Sequence, residues 1–352
     1  MKDSEARMTV FMEGADKRFV IPVYQRKYDW RYENCRQLYD DLKKIVKDGR
    51  ESHFFVSIVS AVVPNGNKIE YHIIDGQQRL TTVSLLLLAI RNLIAQGKVK
   101  PVEDKLDEQI SQRFLISPWA NSGDKIKLRP AKSDREALIK LFGDEKDYDC
   151  SSNLTINYQF FYDMVVKEEV AVEDLYAAIG KLEIISITLD KGDNAQIIFE
   201  SLNATGLALS EGDKIRNYIL MGLPAQVQTK YYDTYWEKIE RCTDNNVSDF
   251  IRDYLSIRQK IIPARGTIYK AFKNYAVSLP IDALLTDLLR YARFFEKLLT
   301  CKSGLKEKKL DACLYRLMRL GIVVTRPFFM EVFSASGERV KYRRCAENIF
   351  NH

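Results

Sequence analysis

Apolar residues near the start of the chain follow two different periods. The run KRFVIPVY (17–24) is led by β-branched residues and predicts a strand. In RYENCRQLYDDLKKIVKDG (31–49), the apolar positions recur on one helical stripe, and Gly49 closes it. The chain therefore begins with a strand followed by an amphipathic helix.

A hairpin and a buried helix come next. FFVSIVSAVV (54–63) and KIEYHII (68–74) flank the turn residues PNGN, which predicts two antiparallel strands. Both faces of the first strand are mostly apolar, so we expect it to be central. A helix from about Leu80 to Ala95 is apolar nearly all round and is predicted to be buried.

The remaining pattern is helical, apart from one late strand signal, KLEIISITLD. This strand has no neighbour in sequence, so we expect it to return to the N-terminal sheet. The fold class predicted is α+β, with a small mixed sheet, flanking helices and a larger all-helical domain. We predict four segments: a sheet domain at 1–100, completed by 181–222, a helical insertion at 101–180 and a helical C-terminal domain at 223–352.

Composition narrows the class of protein. The 352 residues carry a net charge of +6, with 46% hydrophobic and 29% charged residues, which is typical of a globular protein. The N-terminus lacks the apolar core of a secretory signal, and no apolar stretch is long enough to cross a bilayer, so we expect a cytoplasmic protein without a membrane partner. Six scattered cysteines and three histidines argue against a disulfide scaffold, a zinc knuckle or Ser-His-Asp catalysis.

The string YHIIDGQQRLTT places polar residues between a strand and the buried helix. A helix N-terminus attracts anions, and the fork of Arg79 fits a phosphate. Asp75 could hold Mg²⁺ on a phosphate oxygen, and Gln77 or Gln78 could orient a water molecule. The hydroxyls of the next two threonines, placed in the first helical turn, could add donors (Thr81 and Thr82). An ordinary Asp-Gly turn before a polar helix cap explains the same residues.

A second stretch, IPVYQRKYDWRY, combines rings, an amide and a guanidinium directly after a strand. This mixture suits base stacking and phosphate contact. The residues concerned are Tyr24, Gln25, Arg26, Tyr28 and Trp30. The alternative is that the rings pack in the core while the arginine is solvated.

A third stretch, IIFESLNATGLALSEGDKIRNYIL, contains a glycine loop between two predicted helices, with Asn203 and Gly206 flanking the turn. Ser210 is predicted to cap the second helix, with Asp213 at its third position. The glycine spacing does not fit a Walker A loop. Two helices joined by a capped loop explain the pattern without any ligand.

The C-terminal segment 302–344 is basic. It contains eleven Lys and Arg residues against four acids, a local excess of +7. Such a segment suits a polyanion such as DNA, although solvated helix faces explain it equally well.

Together, FVIPVYQRKYDW, YHIIDGQQRLTT and AQIIFESLNATGLALSEGDKIRNYIL resemble the N-terminal domain of GmrSD-type proteins. That domain is the ParB/sulfiredoxin-related part of type IV restriction systems, which act on modified DNA. The hallmark motif corresponds to Asp75, Gly76, Gln77, Gln78 and Arg79. The first motif corresponds to Tyr24, Gln25 and Arg26, and the third to Asn203, Gly206 and Asp213.

The resemblance implies a domain that binds and hydrolyses a nucleoside triphosphate, GTP or ATP, with Mg²⁺. Fuller relatives carry a C-terminal HNH nuclease. The second half of this sequence has a single histidine, His352, so we expect the nuclease to be separate or deleted. Modified, phage-derived DNA is the implied partner. The sequence is also compatible with a homo-oligomer.

Three functions follow from these observations. The leading one is a nucleotide-dependent sensor module of a phage-defence restriction system, acting as a Mg²⁺-dependent nucleoside triphosphatase. The alternative is a module that recognises modified DNA without hydrolysis of its own. A ParB-like nuclease is the weakest, because the sequence shows no clustered carboxylates and few histidines.

Overall fold

The computed structural model describes most of the chain, in two compact units, Met1–Leu202 and Asn203–His352. The described residues are 2–66, 68–117, 125–167, 169–190, 192–203, 209–303, 308–321 and 323–335. Across these ranges, the structure contains no helix with the length and apolar character that a membrane span requires.

The first unit is built on a six-stranded mixed sheet. Its strands are β1 (Lys2–Arg7), β2 (Lys17–Val20), β3 (His53–Asn65), β4 (Lys68–Asp75), β5 (Leu128–Arg129) and β6 (Leu182–Leu189). Their spatial order is β1-β6-β3-β4-β2-β5. The predicted α+β class with a mixed sheet is confirmed.

Strand β3 is central, as its apolar character on both faces predicts. It pairs antiparallel with β4 and parallel with β6, so the late strand does return to the N-terminal sheet. At the end of the hairpin, Val59 lies opposite Asp75. The edge strand β1 was not predicted, because its KDSEAR sequence is polar and almost wholly exposed. Charged edge strands of this kind discourage pairing with other chains.

Eight helices of the described chain flank this sheet or follow it. They are α1 (Met8–Met12), α2 (Tyr32–Asp48), α3 (Gln77–Ala95), α4 (Leu106–Ile110), α5 (Lys132–Lys140), α6 (Asn153–Val166), α7 (Val172–Ile179) and α8 (Ala195–Asn203). A π-helical turn, Ser111–Leu115, follows α4. Helix α3 is buried on nearly every side and packs against α6 and α4, so it forms the centre of the core.

Helix α3 begins at Gln77, three residues before the predicted start, with Gly76 at its N-cap. The predicted start lies too far along the chain because Gln77, Gln78 and Arg79 interrupt the apolar periodicity. Both glutamines are nevertheless buried. Their partners, described below, make the polar first turn compatible with the interior.

The second unit is helical in its described part. Its helices are α9 (Glu211–Leu220), α10 (Ala225–Tyr231), α11 (Glu237–Cys242), α12 (Val247–Gln259), α13 (Ile268–Ala276), α14 (Ile281–Thr300), α15 (Lys308–Arg319) and α16 (Arg326–Ala335). A π-helical turn, Tyr232–Trp236, joins α10 to α11, and short 3-10 turns precede α13 and α16. The unit begins at Asn203, and the helices of 101–180 belong to the first unit. The predicted division of the chain into four segments stays a prediction.

Candidate functional site

The loop that follows β2, residues 22–30, lies on the N-terminal turn of α3. We call these residues the aromatic loop, and we call the loop together with residues 75–79 the α3 corner. Gln25 Nε2 donates to the carbonyl oxygen of Ile74 at 2.7 Å. Gln77 Nε2 donates to Gln25 Oε1 and to the carbonyl oxygen of Arg26, both at 3.2 Å. The first motif and the hallmark motif are therefore in direct contact.

Gln78 holds the next part of the aromatic loop. Its Oε1 accepts the N–H groups of Asp29 at 2.8 Å and Trp30 at 3.2 Å, and its Nε2 donates to the carbonyl oxygen of Lys27 at 3.2 Å. The side chain is buried, and these bonds satisfy polar atoms that would otherwise be costly there. Gln78 thus holds the backbone of residues 27–30 of the aromatic loop in place.

Gly76 makes the sharp turn between β4 and α3. Its φ of +90° is a conformation that residues with a side chain rarely adopt. A Cβ at this position would lie 3.0 Å from Ile58 Cγ1 and 3.1 Å from the carbonyl oxygen of Ser57. Both backbone conformation and space therefore require glycine in the hallmark motif.

Five charged side chains of the corner are accessible: Lys27 and Asp29 are exposed, and Arg26, Asp75 and Arg79 are partly buried. Burial raises the pKa of the Asp75 carboxyl, while the Gly76 N–H and the charges of Arg79 and Arg26 act in the opposite direction. Arg26 lies 3.6 Å from the carboxylate of Asp29. A half-buried carboxylate between two arginines is the kind of perturbed group that clusters at functional sites.

Arg79 lies in the first turn of α3, beside the aromatic loop. Its guanidinium carbon lies 6.0 Å from the centroid of the Trp30 ring. Among the residues that the structure describes, it forms no ion pair within 4.0 Å. The positive end of α3 also lies here, so the helix dipole adds to the positive charge of Arg79.

The aromatic side chains are placed differently from the stacking platform that the sequence suggested. Tyr24 is only 4% exposed, and Tyr28 and Trp30 are also buried. Burial raises the pKa of the Tyr24 and Tyr28 hydroxyls. Tyr24 and Tyr28 are core residues in this structure, so neither ring can stack on a base unless the loop opens.

The two threonines predicted in the first helical turn lie in the second turn, because α3 starts earlier. Thr81 and Thr82 are buried. Thr82 Oγ1 donates to the carbonyl oxygen of Gln78 at 2.8 Å and lies 2.7 Å from the hydroxyl of Tyr28. Their hydroxyls therefore do not face a ligand at the helix N-terminus.

The start of α9 carries part of the third motif. The predicted N-cap is confirmed, since Ser210 Oγ accepts the N–H of Asp213 at 3.0 Å. The Asp213 carboxylate accepts from the Ser210 hydroxyl at 2.7 Å instead of from the Ser210 backbone N–H, so between these two described residues only half of the predicted capping box forms. Arg216 forms ion pairs with Asp213, at 2.7 Å, and with Glu240. Lys214 pairs with Glu211. Arg216 is buried and paired, which leaves it no free donor fork for a phosphate.

The other residues of the third motif are only partly described. Asn203 ends α8 without a described side chain, and Gly206 lies outside the described residues. Gly212 has a packing role, since a Cβ there would lie 2.9 Å from the Cβ of Val247 on α12.

The basic C-terminal segment is partly described. Arg316 and Arg319 are exposed on α15, which suits contact with a polyanion. Arg326 is buried, with ion pairs to Asp253 at 2.7 Å and Asp249 at 3.6 Å. Arg326 therefore belongs to the core of the second unit, and residues 336–344 lie outside the described part.

Two polar residues outside the motifs contact the aromatic loop, and sequence reasoning missed both. Asp134 on α5 and Asn157 on α6 are buried and bond to its backbone. Asn157 had a detectable signal, since a polar residue falls on the apolar stripe of Leu154, Tyr158 and Phe161. Within the described residues, no group of three His, Cys, Asp or Glu side chains could hold a metal ion.

Comparison with known proteins identifies the domain. No curated protein matches the chain. The family described as the GmrSD restriction endonuclease, N-terminal domain, matches residues 9–220, which includes the whole α3 corner and α9. Domains of this family are parts of restriction systems directed at modified DNA. The chain therefore belongs to the GmrSD restriction endonuclease N-terminal domain family.

Proposed function

We propose that the α3 corner binds the phosphates of a nucleoside triphosphate, GTP or ATP, and that the chain is a nucleotide-dependent sensor module of its restriction system. The observation that carries this proposal is Arg79. It is half-buried, has no ion pair among the described residues and lies at the positive end of α3. A bound phosphate would compensate both charges with bidentate hydrogen bonds.

The corner also fits Mg²⁺ as a companion of the phosphates. Mg²⁺ is commonly held by one or two carboxylates plus phosphate oxygens and water, and Asp75 supplies one carboxylate. Bound there, the ion would neutralise phosphate charge. Binding of the ion would also favour the ionised form of Asp75, which burial disfavours.

Hydrolysis requires a group that orients water, and the two glutamines differ in this respect. Gln78 Oε1 already accepts two backbone N–H groups. Gln77 uses its Nε2 as a donor, and no described residue donates to its Oε1. We therefore assign the water-orienting role to Gln77, and the loop-holding role to Gln78.

Calorimetric titration of the full chain with GTP and with ATP, in the presence of Mg²⁺, tests the binding site. Arg79→Ala should abolish binding while the protein stays folded. Arg50→Ala serves as the matched control, because it removes an exposed arginine whose one ion pair with the described residues is to Asp48. Unchanged affinity of the Arg79→Ala variant for both nucleotides would refute the assignment.

A second candidate function is a DNA-binding module without hydrolysis. It is favoured by the burial of Tyr24 and Tyr28 together with the exposure of Lys27 beside Arg26. The exposed Lys27 and the partly exposed Arg26, which lies 3.6 Å from Asp29, suit contact with a DNA backbone phosphate better than with a stacked base. Phosphate release from GTP or ATP by the purified chain, lost in Asp75→Ala, would decide against this candidate.

A further inference from the structure

The backbone of the aromatic loop is held by side chains from three helices. Gln78 of α3 bonds three backbone groups, as described above. Asp134 of α5 accepts the N–H of Tyr28 at 2.6 Å, and Asn157 of α6 donates to the carbonyl oxygen of Trp30 at 2.8 Å. Five of the seven backbone groups from the carbonyl of residue 27 to that of residue 30 are thus bonded to buried side chains.

A hydroxyl chain links two of these anchors. Thr82 donates to a carbonyl oxygen, which can only accept, so the hydroxyl of Tyr28 must donate to Thr82. Asn157 Nδ2 in turn donates to the Tyr28 oxygen at 3.1 Å. The donors therefore run in one direction from Asn157 to the carbonyl of Gln78, and each bond strengthens the next.

The burial of these anchors indicates that they fix the conformation of the aromatic loop. Asn157 is fully buried and Asp134 is 7% exposed. Burying an amide or a carboxylate is unfavourable unless its hydrogen bonds are made, and apolar side chains would fill the same space at lower cost. What the polar groups add is a fixed backbone path for residues 27–30. This segment connects Arg26 to Trp30, whose ring lies beside Arg79.

We propose that Asp134 and Asn157 are positioning residues for the α3 corner: they hold the aromatic loop in its ligand-ready path before any ligand binds. Neither side chain touches the ligand. The effect on ligand affinity rests on the proposed function, whereas the effect on the loop does not. The inference assigns a role in the site to α5 and α6, which carry none of the three motifs.

Hydrogen exchange of the full chain without ligand tests the loop directly. The amides of Tyr28, Asp29 and Trp30 should be protected in the wild type. Asp134→Ala and Asn157→Leu should speed exchange in peptides that cover 24–31 and leave peptides from β4 and α3 unchanged. Glu136→Ala on α5 and Asp163→Ala on α6, both exposed, are the matched controls and should change neither region.

Calorimetric titration with GTP and ATP provides the second readout. Each variant should bind the nucleotide about 10-fold more weakly or worse, as is common when a supporting residue of a site is lost. Asp134→Asn keeps an oxygen that can accept the Tyr28 N–H, so it should restore both protection and affinity. This rescue separates positioning from a general contribution of negative charge.

The outcomes separate the two proposals. If the wild type binds neither nucleotide, the proposed function fails, while faster exchange confined to the loop still supports the positioning role. If both variants exchange and bind like the wild type, the positioning role is overturned. Faster exchange spread over β4 and α3 in both variants would overturn it equally, because the residues would then stabilise the fold as a whole.

Discussion

The α3 corner and the start of α9 use similar residues in opposite ways. Each places an aspartate and an arginine within about one helical turn. At α9, Arg216 lies 2.7 Å from Asp213 and also pairs with Glu240. The side chain of Arg216 is only 7% exposed. At the corner, Arg79 and Asp75 form no ion pair within 4.0 Å among the described residues. One set of charges forms ion pairs within the fold, and the other forms none among the described residues.

The difference arises from where each aspartate lies. Asp213 is the third residue of α9, so its side chain shares a helix face with Arg216. Asp75 ends a strand and is separated from α3 by Gly76, whose φ of +90° turns the chain. The same residue types therefore become a structural pair inside a helix and a candidate binding site at a strand-to-helix turn.

The largest effect is expected at α9. Arg216→Met would leave the carboxylates of Asp213 and Glu240 without their buried partner, and we expect a loss of about 3–5 kcal/mol in the free energy of unfolding. Denaturant titration followed by circular dichroism measures this loss. Lys214→Met, at a more exposed pair, should cost less than about 1 kcal/mol. Equal losses for the two variants would contradict the contrast drawn here.

The turn before α3 should be the next most sensitive point. Gly76→Ala introduces a Cβ in a left-handed conformation against Ile58 and the Ser57 carbonyl, and we expect a loss of about 2–3 kcal/mol in unfolding free energy. Gly97→Ala is the control, since its φ of +68° is also positive but nothing lies within 4 Å. Thermal unfolding compares the two, and a larger loss for the control would contradict this account.

Removing the Asp75 charge should stabilise the fold. Burial raises its pKa above the ordinary value of 3.8, so the folded state binds more protons than the unfolded state in the window just above 3.8. The stability of the wild type therefore falls as pH rises through that window. Asp75→Asn should unfold at a higher temperature than the wild type at neutral pH, and the gain should shrink in acid. A lower unfolding temperature at neutral pH would show that the carboxylate stabilises the fold.

The smallest effect on stability is expected for Arg79. Because it forms no ion pair among the described residues, Arg79→Met should change the free energy of unfolding by less than about 0.5 kcal/mol. The same denaturant titration as for Arg216→Met checks this. A loss as large as that of Arg216→Met would remove the distinction between the two arginines.

Much of the fold was predictable because its core elements have strong periodicity. The α2 stripe, the β3–β4 hairpin and the apolar α3 were all found, and the unpaired late strand correctly implied a sheet completed by β6. Strand β1 and the start of α3 were missed for one reason. Both are polar segments whose structure depends on partners distant in sequence.

At the candidate site, the sequence identified the segments that meet but not what each side chain does. The amides of Gln25, Gln77 and Gln78 suggested ligand contacts, and the structure shows them bonding the aromatic loop and the end of β4. Tyr24 and Tyr28 suggested stacking and are buried. Exposure and hydrogen-bond partners are tertiary properties, and residue type alone does not fix them.

The sequence by itself determined the α+β class, the buried helix after an Asp-Gly turn and the family to which the chain belongs, because apolar periodicity and short motifs are local. Only the tertiary structure decided that Asp134 and Asn157 reach the aromatic loop. The tertiary structure also decided that Arg216 forms two ion pairs, while Arg79 forms none with the described residues. These outcomes depend on which side chains from distant segments come within hydrogen-bonding distance, and that is set by packing of the whole unit.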